Sequence, residues 1–362
     1  MRRALIAVGM ALAGCSSLAP ETLRGERADL NVALQWTSDE QLLLNLVRLR
    51  YRDTPAFLEV SSISTQARRE TSLELGAELP RRAPDTLSLS GIAGYWSQPT
   101  LTYTPLQGEN FATRLLSPLA LEKLVLLNQS GWNIRRLFRV AVQRVNGLGN
   151  APRASGPAPE ESPEFEQFGR VIQLLRRLER QDAIKLGYEA YPSPGARPRV
   201  VLEISPRAQQ SRDLQELQSL LGLTPGKKHY PLVYSLALHA APDEGDALIV
   251  ETRSVLGMLY FLAQAVEVPE QDRRAGRVAI ARDDGGAPFD WKKVLGDSLS
   301  IRWQSAAPEQ AAIGVRYRGH WFYIDDADME SKATFSMLSQ IFALQAGKSE
   351  AVVPVLTLPI GR

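Results

Sequence analysis

Arg316-Tyr317-Arg318-Gly319-His320-Trp321-Phe322-Tyr323-Ile324-Asp325-Asp326 decides the fold class. Arg318-Gly319 is a turn signal between two short runs rich in aromatic and β-branched residues, Ala312–Tyr317 and His320–Ile324, so the stretch reads as a β-hairpin. Alternation puts Trp321 and Tyr323 on one face and His320 and Phe322 on the other. Asp325 and Asp326 lead into a helix predicted from about Asp328 to Ala346, and a helix N-terminus favours carboxylates. Leu299–Trp303 reads as a third strand. Strands joined by short turns and followed by a helix imply an α+β fold with mostly antiparallel sheets and packed helices.

The same signals extend towards the N-terminus. Strands are predicted at Ala247–Glu251, Leu232–Leu238, Val200–Ile204 and Ile184–Glu189, with helices at Ser254–Val266 and Leu214–Leu221. Phe165, Phe168, Ile172, Leu175 and Leu178 recur at helical spacing. Residues 151–163 carry four prolines and no large apolar residue, which reads as a linker or an exposed loop. That break suggests two α+β lobes, 36–150 and 164–362. In the first, Thr37 or Ser38 is a candidate cap for a helix with an apolar stripe at Leu42, Leu43, Leu46 and Val47, ended by Pro55. Phe57–Thr65 reads as a strand. Thr86–Thr104 reads as a hairpin turning near Ser97-Gln98-Pro99, and Leu137–Val145 as a strand closed by a turn at 146–150. Phe111–Leu127 reads as one or two helices, broken near Ser117-Pro118, and Val352–Leu358 is a candidate last strand.

The chain starts with a basic Met1-Arg2-Arg3, an apolar Ala4–Ala11, and Leu12-Ala13-Gly14-Cys15. The apolar run is about half the ~20 residues that a membrane span requires, and a short basic and apolar leader of this kind is a secretion signal. Leu12-Ala13-Gly14-Cys15 resembles the lipobox of bacterial lipoproteins. That resemblance implies removal of residues 1–14, attachment of lipid to Cys15, and anchorage of the body to a membrane, with residues 15–35 as a tether. Ser16, where inner-membrane lipoproteins of Gram-negative bacteria carry Asp, implies the outer membrane and a body facing the periplasm. Asn128–Trp132, Val145–Leu148 and Trp321–Asp325 also resemble blocks in uncharacterised Gram-negative envelope lipoproteins, a resemblance that brings no activity with it.

Cys15 is the only cysteine, so no thiol is left for a disulfide, a metal site or a nucleophile once it is acylated. Without Arg2 and Arg3 the basic residues match the 40 acidic ones, which argues against a nucleic-acid partner. The signatures of zinc peptidases, α/β-hydrolases, phosphate-binding loops and dinucleotide folds are absent. No metal or cofactor is implied.

Three clusters carry candidate chemistry. His320 with Asp325 or Asp326 could move protons; the plainer alternative is an amphipathic hairpin. Asn128-Gln129-Ser130-Gly131-Trp132 could hold a nucleophile or a sugar-binding turn, or be a helix end closed by Gly131. Tyr95, Trp96 and Tyr103 could form an interaction surface or a half-buried strand pair. The expected function is a periplasm-facing scaffold or assembly factor that binds another envelope protein. The alternatives are a hydrolase of peptidoglycan or another polysaccharide using His320 and Asp325 or Asp326, and a glycan- or lipid-binding module built on Trp96 and Tyr103.

Overall fold

A computed structural model describes residues 18–78, 86–157, 163–189, 199–234 and 246–346. The fold is α+β, with ten helices and three mostly antiparallel sheets among the described residues. By its contacts the chain divides into two compact units. Among the described residues, one comprises 18–55 and 112–346 and the other 56–111.

The larger unit is built on a six-stranded sheet in the order β4-β3-β8-β7-β6-β5. Its strands are β3 (Val142–Val145), β4 (Leu148–Gly149), β5 (Ile184–Glu189), β6 (Arg199–Ile204), β7 (His229–Tyr234) and β8 (Leu248–Thr252). Only β7 and β8 run parallel. Asn146 and Gly147 have φ of 45° and 81°, the doubly left-handed turn that a two-residue hairpin requires. Asn146 also donates through Nδ2 to Leu221 O at 2.7 Å and accepts from Ile249 N at 2.8 Å, tying the turn to β8.

Leu137–Val145 is not one strand. Ile134–Ala141 is a helix (α4), and only Val142–Val145 is extended. Asn133 caps it by accepting from Arg136 N at 2.9 Å, and the buried Ile134, Leu137, Phe138 and Ala141 follow helical spacing. The run also alternates, and the cap decides between the two periods. The preceding helices, α2 (Glu109–Leu116) and α3 (Leu121–Gln129), break at the expected proline.

The chain does not divide at 151–163. Pro152–Ser155 forms a 3₁₀ turn with Ala151 and Ala154 fully buried, and β3 pairs with β8 from the far side of this segment. Residues 112–150 therefore share a sheet with residues that follow the break. The turn is held by Arg253, 1% exposed, whose Nε donates to Ser155 Oγ at 2.9 Å. Its other nitrogens donate to the carbonyls of Val142 (2.7 Å), Val140 (3.2 Å) and Asn150, and its guanidinium lies 3.9 Å from the Phe261 ring centre. Burial with no carboxylate partner pushes its pKa down to about 9.

Around this sheet lie α5 (Glu166–Arg180), α6 (Arg212–Leu221) and α7 (Val255–Ala263), close to their predicted bounds. α7 is apolar on every face and buried on most of them, with Leu256 and Tyr260 half-buried. No helix among the described residues is long and apolar enough to cross a membrane. α8 (Glu270–Arg274) and α9 (Lys292–Leu295) are short. The C-terminal sheet has the order β10-β11-β9, from β9 (Arg302–Gln304), β10 (Ala311–Tyr317) and β11 (His320–Asp325), followed by α10 (Met329–Ala346).

The first helix, α1, spans Leu18–Arg50, so residues 18–35 are helical rather than an irregular tether. Pro20 sits in its first turn, where a missing N–H costs no helical hydrogen bond. Thr37 and Ser38 lie inside α1 and donate back to Ala33 O and Leu34 O, instead of capping it. The predicted stripe at Leu42, Leu43, Leu46 and Val47 is buried.

The smaller unit contains β1 (Leu58–Glu78) and β2 (Thr86–Pro105), paired antiparallel from Leu58↔Pro105 to Glu78↔Thr86. The turn expected at 97–99 is absent. Those residues pair inside β2 with Ala67, Gln66 and Thr65, because the hydroxyl-rich alternation runs unbroken on both sides of them. Cys15 and Val352–Leu358 lie outside the described residues.

Candidate functional site

His320 and the two aspartates are not brought together. An odd separation along β11 puts His320 and Asp325 on opposite faces: His320 is buried with Phe322 and Ile324, while Asp325 lies on the half-exposed face. Asp325 accepts from Arg302 Nη1 at 3.0 Å and from the Ala327 backbone. Asp326, past the strand, pairs with Lys332 at 2.6 Å. Both act as hairpin and helix-entry charges, the second reading that the sequence allowed.

His320 belongs to a different cluster. Its Nε2 accepts from the Gln271 amide at 2.5 Å, its ring meets Trp303 edge-on at 5.1 Å, and its buried Nδ1 has no hydrogen-bond partner among the described residues. Asp272, fully buried, accepts from Tyr51 OH at 2.7 Å and from Arg277 Nη1 at 2.6 Å. Burial pulls the Asp272 pKa up, and the bonds from Tyr51 and Arg277 outweigh it, holding the carboxyl below its ordinary range. Tyr51 is pushed up by burial and by its bond to that carboxylate. Arg318 and Tyr317 both bond to Asp53, and the Arg318 guanidinium lies 5.2 Å from the Tyr51 ring centre. The end of α1, the short α8 and the β10–β11 hairpin are thus joined by paired charges and rings. No groups of three or more metal-ligating side chains occur among the described residues.

The cavity that could hold a partner lies elsewhere in the same unit. A half-open cavity of about 850 Å³ lies between α1, the outer face of the β10–β11 hairpin and α10. Val32, Trp36, Trp321 and Phe335 give it apolar walls, and Asp39, Glu40 and Lys332 place charges on opposing sides. Trp36 is 66% exposed and Val32 56%, although both are large and apolar. Asp39 has its pKa raised by burial beside them. Volume and lining fit a bound side-chain cluster or short apolar segment. The sequence signal was Val32 and Trp36 at helical spacing, hidden because residues 15–35 read as a tether.

No family model, curated protein or solved structure matches this chain. The remaining candidates are therefore judged by geometry alone. Gly131, with φ of 101°, follows the end of α3, and Ser130 Oγ donates to Leu126 O at 2.8 Å. Asn128 bonds to Trp132 O and to Glu179, which also receives Ile134 N, so this segment joins α3, α4 and α5. Register puts Tyr95 opposite Arg69 and Tyr103 opposite Val60 on one face of the hairpin. Trp96, opposite Arg68, is on the other. Tyr103 is 42% exposed.

Proposed function

We propose that this chain is a lipid-anchored envelope protein, with its body in the periplasm, that works by holding another envelope protein. The observation that carries the anchor is Leu12-Ala13-Gly14-Cys15 directly after a short basic and apolar leader. The outer membrane is the proposed destination, from Ser16. The binding role is supported by the exposed Trp36 and Val32 at the mouth of an apolar cavity, where partner side chains would remove about 25 cal/mol per Å² of apolar surface from water. The separation of His320 from Asp325 gives the hydrolase reading no support.

Radiolabelled palmitate fed to a Gram-negative host tests the anchor: the wild-type chain takes up label and Cys15→Ser does not. A photoreactive amino acid in place of Trp36 tests the binding role. A discrete crosslinked species, lost when Val32→Asp is added, is the expected result; crosslinking to lipid alone removes the scaffold reading.

A further inference from the structure

Among its described residues the smaller unit is one long hairpin with a distinct residue pattern. Among the described residues its sheet has two strands, so β1 and β2 each leave an outer edge without a third strand. At 21 and 20 residues they reach about 65 Å at ~3.3 Å per residue, whereas an isolated two-stranded hairpin is marginal in water. β2 carries no Lys, Arg, Asp or Glu at all, so it lacks the charges by which soluble proteins guard an edge strand.

Directly paired residues share a face, and in the distal half the faces differ in kind. Leu73, Leu75 and Ala77 share one face with Leu87, Leu89 and Ala93; Thr71 is the polar exception. Ser72, Glu74 and Glu78 share the other with Thr86, Ser88 and Ser90, with Ile92 as the apolar exception. The apolar band ends at the pair Arg69–Tyr95 on one side and at Pro80-Arg81-Arg82 in the sequence on the other. Leu87 to Tyr95 is nine residues, the length of a tilted strand crossing a bilayer, with an aromatic residue at its boundary.

We propose that this hairpin pairs edge to edge with the same hairpin in further copies of the chain, closing a β-barrel whose apolar face lies in an envelope membrane. The proposal rests on the reading above only in taking that membrane to belong to the envelope. Closure is required because hydrocarbon cannot satisfy an open edge, and head-to-tail pairing of β2 with the next copy's β1 generates a ring. The charges also suit that order. All the acidic residues of the polar face lie on β1, so each acidic strand is flanked on both sides by an uncharged β2. Two strands per copy and a minimum of about eight in membrane barrels require at least four copies. The enclosed face is acidic and hydroxyl-rich, the lining of an aqueous, cation-preferring pore.

The full chain, extracted in detergent and returned to phosphatidylethanolamine–phosphatidylglycerol vesicles, provides the test. Single cysteines at 87, 89 and 93 and at 88, 90 and 94 are labelled with an environment-sensitive dye. A multimer of four or more copies is expected by light scattering. Odd positions should be quenched by lipid-borne quenchers and even ones by aqueous iodide. Leu89→Asp should abolish insertion, while Ser90→Asp leaves it intact. A monomer, or odd and even positions quenched alike, overturns the proposal. A palmitate-labelled chain that stays monomeric would end this inference and leave the anchor standing; an unlabelled chain that forms barrels would do the reverse.

Discussion

Arg253 is the residue on which the larger unit turns. Its guanidinium satisfies carbonyls at 140, 142 and 150 and a serine in the 3₁₀ turn, so its loss leaves several buried acceptors unpaired. At roughly 1–3 kcal/mol per orphaned group, Arg253→Met is expected to cost about 3–5 kcal/mol, read as a lower urea midpoint. Arg253→Lys recovers only part, because an ammonium cannot span the same acceptors. Asp272 sets a pH response. Its carboxyl is held below the ordinary value of 3.8, so its contribution is present above about pH 4 and is lost as pH falls through the folded value. Unfolding measured between pH 5 and 2 should show an acid limb that flattens in Asp272→Asn. In Tyr51→Phe, which removes one donor, that limb should move to higher pH. Neither residue stood out in the sequence: Tyr51 and Asp272 are 221 positions apart, and only folding makes them partners.

At the level of elements, turns were legible where a glycine takes positive φ: Gly131 after α3 and Gly147 in the Asn146-Gly147 turn are such cases. Asn146 tests what the turn adds. Asn146→Gly keeps the left-handed conformation and loses the bonds to Leu221 and Ile249, and is expected to destabilise by about 1–2 kcal/mol in thermal unfolding; Asn146→Ala adds the strain of positive φ. Gly296 has φ of 57°, and an added Cβ would meet Arg139 Nη1 at 2.6 Å, so Gly296→Ala should lower the melting temperature by more than Gly226→Ala, where φ is also positive but the Cβ meets nothing. The misread elements have one cause. Residues 137–145 and 18–35 carry patterns compatible with more than one structure, and a cap or a continuing helix, not local propensity, chooses between them.

For the whole molecule, the division into units predicts independence. The base of the hairpin is closed by Leu106 N donating to Phe57 O at 2.9 Å, so a short linker can replace residues 58–105. That excision is expected to leave the urea transition of the remaining chain cooperative and at an unchanged midpoint, while abolishing any multimer. The α+β class and most of the C-terminal elements were determined by the sequence alone, because periodicity and turn residues act over a few neighbouring positions; the lipid anchor proposed at Cys15 is likewise a reading of the sequence alone. The tertiary structure decided that residues 151–163 do not separate two lobes, that His320 faces Gln271 rather than Asp325, and that Trp36 stands at a cavity. Each of these depends on contacts between distant segments: sheet pairing across the break, burial of one face of β11, and the packing of α1 against a hairpin nearly three hundred residues later.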